Sequence, residues 1–360
     1  MRVIVVGATG NVGTAVVDAL MKSPSVSSIV GMARRRPELG LGGVDWVGAD
    51  VRDADLASLF RGADAVVHLA WVFQPTHRPR ETWRTNVDGT ARVLRAVGDA
   101  GVPALVYASS VGAYSPRTDD QPVTEDWPTE GWPGAAYMTE KAYVERLLDI
   151  FERDVPDCRL VRMRPAFTFQ YVSASEQRRL FAGPLLPNRL IRPGVLPVLP
   201  YPWGLRLQAV HSSDVGRAYA LAVTGDARGA FNIAAEPVLD RASITRILRT
   251  RTVPVPPRAV KAALAVAWRL RLLPATPELF DATMHLPLLD TTRARVDLGW
   301  TPRIDAEQAL TEVLSGFGDG AGSDTPPLAR DAGGAWRYRE FASGVGGHDP
   351  VDQLTRHARR

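Results

Sequence analysis

Tyr137 and Lys141 lie four residues apart in Tyr137-Met138-Thr139-Glu140-Lys141, inside a pattern that predicts a helix over 136–152. That spacing puts both side chains on one helix face, one turn apart. An ammonium beside a phenol favours the phenolate and lowers the tyrosine pKa from its usual ~10. Such a tyrosine can give a proton to a carbonyl oxygen or take one from an alcohol. A second constellation stands near the N-terminus: Gly7-Ala8-Thr9-Gly10-Asn11-Val12-Gly13, directly after the apolar run 3–6 and opening a helical pattern. Glycines there let the backbone turn tightly and let a pyrophosphate approach the free N–H groups of a helix start. Gly7, Thr9, Gly10, Asn11, Val12 and Gly13 are thus the candidate phosphate loop.

Holding these groups together requires a particular set of elements. The pattern predicts strands at 3–6, 28–33, 44–47, 65–69, 104–108 and 159–164, with helices at 12–21, 81–100 and 136–152 between them. Most of the strands are short apolar runs without strict alternation, as when helices cover both faces. Repeated β-α-β order implies an α/β, Rossmann-type, doubly wound parallel sheet over residues 1–165. The second strand runs into Arg34-Arg35-Arg36 with no carboxylate at its end. A carboxylate there would bind the ribose 2′-OH of NAD, whereas guanidinium groups suit a 2′-phosphate. Arg34 and Arg35 therefore point to NADP, with NAD the alternative. Asp50-Val51, after the third strand, are placed to meet the adenine edge.

Beyond 165 the rhythm changes. Pro and Gly are dense over 183–204, which predicts irregular structure, a loop or lid over a pocket. Helical patterns return at 214–223, 244–249, 259–272 and 306–314. Residues 166–315 are read as a smaller C-terminal α/β substrate-binding region, with segments returning to the core near 205–235. Residues 316–360 are read as a flexible tail, since 316–334 is rich in Gly, Asp and Pro.

Composition narrows the function classes. The chain has 360 residues, 43 Lys+Arg against 39 Asp+Glu, and a single cysteine, Cys158. One cysteine excludes an intrachain disulfide framework and multi-cysteine metal sites. The six histidines are scattered without ligand spacing, so no metal is expected. The basic end, 356–360, is not part of a basic stripe with aromatic neighbours, so no nucleic-acid partner is expected. The most apolar late stretch, 259–273, carries Lys261, Arg269 and Arg271, which argues against a membrane span. Arg2 leads straight into the first strand with no cleavage region, and the expected compartment is the cytoplasm.

With these elements in view, the chain resembles the extended short-chain dehydrogenases/reductases of the NAD(P)-dependent epimerase/dehydratase family. The resemblance runs from residue 1 to about 315. It rests on the 7–13 glycine run, Gly48-Ala49-Asp50-Val51, His68-Leu69-Ala70, Asn86-Val87-Asp88-Gly89-Thr90, Ser109-Ser110, Tyr137 to Lys141, Arg164-Pro165, His211 to Val215, and Leu298 to Pro302, in the family's order. It implies that Tyr137 is the acid/base and that Lys141 also holds the nicotinamide ribose. Ser110, just past the strand ending at Ala108, is the hydroxyl on the substrate oxygen. Leu69, Ala70 and Trp71 border the cofactor, with Ala108 at the end of the neighbouring strand. Asn86 is a structural or relay residue, and Pro165 and Ala166 form the nicotinamide-side wall. His211 and Asp214 resemble a helix-start and packing element. Family members often form homodimers.

Departures from the family sharpen this. Val111-Gly112 follow Ser110 where sugar dehydratases carry an Asp-Glu pair, and no Asn follows the sixth strand. Trp71, Phe73, Trp127, Trp132, Phe167, Phe169, Tyr171 and Trp203 occupy segments expected around the pocket, suiting an apolar or ring substrate. The expected function is an NAD(P)-dependent oxidoreductase acting on a small carbonyl, secondary alcohol or sugar-like substrate. The alternatives are a nucleotide-sugar epimerase holding NAD tightly and a non-catalytic NADP-binding sensor.

Overall fold

The computed structural model describes residues 1–37, 42–74 and 76–341. The basic end at 356–360 lies outside the described residues. β1 (Arg2–Val6), β2 (Ser28–Ala33), β3 (Asp45–Gly48), β4 (Ala65–His68), β5 (Ala104–Ala108) and β6 (Arg159–Pro165) follow one another through crossovers. β7 (Phe167–Phe169), β8 (Val198–Pro202), β9 (Leu207–His211), β10 (Gly229–Ile233), β11 (Ala235–Leu239) and β12 (Arg251–Val255) complete the strands. Seven of them form one parallel sheet in the order β10-β6-β5-β4-β1-β2-β3. Apolar clusters cover both faces, which is why the inner strands read as continuous apolar runs. The strand order reverses between β1 and β4, and there a crevice is expected beyond the carboxyl ends of the strands.

Residues 205–235 return to this core. β9 joins β7 and β11 in a three-stranded sheet, helix Ser212–Thr224 packs on helix Asn11–Met21, and β10 becomes the edge of the main sheet. Gly216 allows the close helix approach, since a Cβ there would lie 2.3 Å from the Ala15 carbonyl oxygen. In the Pro-rich segment, Val198–Pro202 pairs in parallel with Arg251–Val255. Proline is tolerated because, among the described residues, each strand has one partner and leaves one edge without ladder bonds.

Two expectations are corrected. The helix over 81–100 is broken into Pro79–Trp83, a widened turn at Arg84–Asp88, and Gly89–Asp99. The widening occurs where Asn86 turns inward and Gly89 meets Val51. The flexible tail expected from 316 is packed as far as 341. Helix Ala306–Asp319 runs through its start, Leu328 is fully buried, and Arg178 holds Glu340 in a buried ion pair. The Thr325 hydroxyl donates to the Thr9 carbonyl at 2.8 Å, so the segment crosses the glycine loop.

Among the described residues, no helix is long and apolar enough to cross a membrane, and no His/Cys/Asp/Glu group could hold a metal ion. Cys158 is buried immediately before β6, and burial raises its thiol to about 11.

Candidate active site

Helix Ala136–Asp154 presents Tyr137, Glu140, Lys141 and Glu145 to the carboxyl end of β5. The Lys141 ammonium donates to the Ala108 carbonyl at 2.6 Å and lies 3.5 Å above the Trp71 ring. It is 5.9 Å from the centre of the Tyr137 ring. Burial lowers Lys141 to about 7, against the opposing pull of Glu145 and Glu140. Ser110 opens a short helical turn and accepts from the Gly112 N–H at 3.0 Å. Gly112 lies against Tyr137, where a Cβ would come 3.0 Å from ring carbon Cε1. Ser110 and Tyr137 are therefore neighbours, with Lys141 one turn further along.

One electrostatic expectation is overturned. Burial raises the Tyr137 phenol above its usual pKa, hydrogen bonding to Ser110 opposes this, and the Glu140 charge adds to it. The aromatic wall around the phenol outweighs any help from Lys141, whose ammonium is directed at Ala108 and Trp71. Trp71 meets the Tyr137 ring edge-on at 5.9 Å and Phe73 lies 5.0 Å away.

Two buried carboxylates behind these groups escaped the sequence reading. Glu140 accepts from Thr82 at 2.5 Å and from Asn86 at 2.7 Å. Asn86 also bonds both backbone groups of Val72, accepting at 2.8 Å and donating at 2.7 Å. Glu140 thereby fixes the loop carrying Trp71 and Phe73. Glu145 accepts from the Ser109 hydroxyl at 2.6 Å and pairs with Arg164 and Arg162. Burial works against its charge, but Arg164, Ser109 and Arg162 overcome it and hold its pKa below the usual carboxylate range. Arg164 continues to Tyr114, whose hydroxyl donates to Asn232. Only the apolar pattern of this helix, interrupted by acids on its inner face, could have pointed to them.

The glycine loop fits a dinucleotide. Gly7 has φ +90° and touches Ala70, so a Cβ would lie 2.7 Å from the Ala70 nitrogen. Gly13 is tighter still, with its Cβ position 2.2 Å from the Gly7 carbonyl oxygen. Helix Asn11–Met21 starts with no side-chain cap and no acid in its first turn, leaving an N-terminus suited to an anion. A nicotinamide dinucleotide is therefore compatible with Gly7 to Gly13 and the adjoining Leu69 and Ala70 backbone. Val12 packs into the core under the loop. The Asn11 side chain is committed to Thr168, Gln170 and Ser212 rather than to the groove.

Arg34 and Arg35 are exposed just beyond β2. The Asp50 carboxylate is held by Arg52 at 2.9 Å, and Val51 packs on Gly89. Ala166 is buried beside β10, its N–H donating to the Ile233 carbonyl, and Pro165 ends β6. His211 caps helix Ser212–Thr224, and Asp214 accepts from the Arg303 and Ile304 N–H groups. Of the aromatic residues expected at the pocket, Phe73 lines the cavity beside Tyr137, and Trp71 stands against Tyr137 and Lys141. Trp127, Trp132 and Phe167 pack in a neighbouring cluster, and Trp203 is exposed. A cavity of about 130 Å³ adjoins Tyr137, lined by Phe73, Glu140, Trp268, Glu278 and Leu279 among others. None of its described lining comes from 183–204, so the expected lid is absent from its wall.

Comparison with known proteins adds an independent observation. The sequence profile described as "NAD dependent epimerase/dehydratase family" matches residues 3–234. An uncharacterized protein of Mycobacterium tuberculosis is 30% identical over 318 residues, covering 87% of this chain. The chain spans only 29% of that relative's length. The L-arabinose 1-dehydrogenase (NAD(P)(+)) of Haloferax volcanii is 38% identical over 110 residues, 30% of this chain and 41% of that protein. In fold, the chain is similar to UDP-glucose 4-epimerase from Thermus thermophilus, solved with NAD. That likeness has a TM-score of 0.65 and 20% identity, covering 88% of this chain and 99% of the other.

Proposed function

The chain belongs to the NAD dependent epimerase/dehydratase family, and on that premise we propose that it is an NADP-dependent reductase or dehydrogenase of a carbonyl or secondary alcohol. The observation that carries this reading is Tyr137 at a cavity, with Ser110 beside it across Gly112 and Lys141 one turn on over Trp71, the residue after the Ala70 that meets Gly7. When bound, the nicotinamide supplies or accepts the hydride. Ser110 orients the substrate oxygen and stabilises charge developing on it. Tyr137 gives that oxygen its proton, or takes one in the reverse direction. Lys141 supplies positive charge below about pH 7 and, by family resemblance, holds the ribose. Trp71 and Phe73 exclude water from the phenol. Arg34 and Arg35, with no carboxylate at the end of β2, support the choice of NADP over NAD.

The test is NADPH consumption over a panel of small carbonyl compounds. Wild type is expected to turn over at least one, and Tyr137→Phe to lose on the order of 100-fold or more with unchanged NADPH affinity. Full turnover in that variant overturns the role of Tyr137. Protein purified with tightly held NAD and without net cofactor turnover identifies an epimerase instead. NADPH binding with no turnover of any substrate identifies a sensor. Tighter binding of NADH than of NADPH overturns the cofactor choice.

A further inference from the structure

Resting on the reading of Tyr137 as the proton donor, we propose that the substrate is a compact, uncharged ring compound bearing the reacting carbonyl or hydroxyl, and not a nucleoside-diphosphate sugar. The size, wall chemistry and charge of the cavity beside Tyr137 all bear on this.

Its volume is about 130 Å³. Sites for drug-sized ligands run from ~300 to 1,000 Å³, whereas an apolar cavity of ~150 Å³ takes a single benzene ring. Three aromatic residues, Phe73, Tyr137 and Trp268, form part of the wall. Phe73 is held between Tyr137 and Phe181, each at 5.0 Å. Trp268 stacks on His77 at 4.2 Å, and its indole N–H donates to Thr76 at 3.2 Å. Rigid aromatic faces of this kind receive a flat or puckered ring at little entropic cost.

Charge decides against a diphosphate. Among the described residues, the cavity is lined by two carboxylates, Glu140 and Glu278, and by no Lys, Arg or His. Glu140 is already committed to Thr82 and Asn86, and its attraction to Lys141 is spent within the same helix. A diphosphate placed here would meet like charge with no guanidinium or ammonium to answer it. The neighbouring cleft between Val111, Ala166 and Leu286 does carry a cation, Arg206. That guanidinium is paired with Asp120, and the cleft offers only about 10 Å³. Tyr137 lines this cavity together with Thr76, Thr82 and Thr276, so neutral hydroxyl groups, which can donate as well as accept, stand available for the oxygen of an uncharged ring.

The experiment measures binding to the full chain saturated with NADP+, which cannot reduce a carbonyl, by titration calorimetry or ligand-observed NMR. The probes are benzaldehyde and cyclohexanone on one side and UDP-glucose and UDP on the other. The ring carbonyls are expected to bind at least about 10-fold tighter than either nucleotide. Leu279→Trp fills the cavity and is expected to weaken the ring probes by about 10-fold or more with NADPH affinity unchanged. If that variant does not fold, Leu279→Phe gives the same test with a smaller intrusion. Tighter binding of UDP-glucose, or ring binding indifferent to residue 279, overturns the proposal. The two readings fail separately. Ring binding without hydride transfer leaves this proposal standing and removes the oxidoreductase, whereas hydride transfer with a UDP-sugar does the reverse.

Discussion

Glu145 answers two guanidinium groups from a position with no solvent access. Arg162 has further partners in Asp149 and Glu152, but among the described residues Arg164 has Glu145 alone as an ion-pair partner. Glu145→Ala is expected to cost ~3–5 kcal/mol, because it leaves a buried charge uncompensated. Urea unfolding of the variant checks this, and a loss below about 1 kcal/mol counts against the network. His68 makes a second residue-scale prediction. Burial holds its pKa at about 3, against 6.5 for a free imidazole. Between those values the unfolded chain binds the proton and the folded chain does not. Stability from this group is therefore complete above 6.5 and falls as pH drops, by on the order of 3 kcal/mol at about pH 4. His68→Gln lacks the titration, so the two unfolding free energies should diverge on acidification; parallel curves refute this linkage. At this scale the sequence was informative only for local relations. Tyr137 and Lys141 are readable because one helix turn joins them. Glu140 and Glu145 were not, since their partners stand 54 to 58 and 17 to 36 residues away.

Helix Asn11–Met21 is clamped at its start by backbone approach, not by a capping side chain. Gly13→Ala would drive a methyl into the Gly7 carbonyl and the Ala8 backbone, at 2.2 and 2.7 Å. Neither atom belongs to a flexible side chain, so the helix must shift. The expected cost is ~2–4 kcal/mol, read as a lower melting temperature, together with weaker binding of a nicotinamide dinucleotide. Unchanged stability would mean that the loop can relax at no cost. The strands of the main sheet were legible because burial on both faces leaves a plain apolar run. Element breaks were less so. The turn at Arg84–Asp88 answers to Val51 and Glu140, which lie in other parts of the chain. Likewise, β8 depends on its pairing with β12, about fifty residues on.

At the scale of the whole molecule, residues 321–341 pack on residues 175–188 and meet the glycine loop at Thr325. Much of that packing uses backbone carbonyls as acceptors: Pro327 and Ala329 for Arg179, and Ala321 for the Ser175 N–H. Carbonyl oxygens are common to every residue, which is why a Gly-, Asp- and Pro-rich stretch gave no sign of packing. Glu340→Ala should release the segment by stripping Arg178 of its buried partner. Limited proteolysis is expected to cut within 321–341 several times faster than in wild type, with loss of ~3–5 kcal/mol in stability. Equal cleavage rates would show that Glu340 does not hold it. The contact between Thr325 and Thr9 joins residues 316 positions apart. On a ribosome adding ~5–20 residues per second, the glycine loop emerges roughly 15–60 s before the segment that meets it. A nascent chain therefore passes through an interval in which this side of the glycine loop is uncovered.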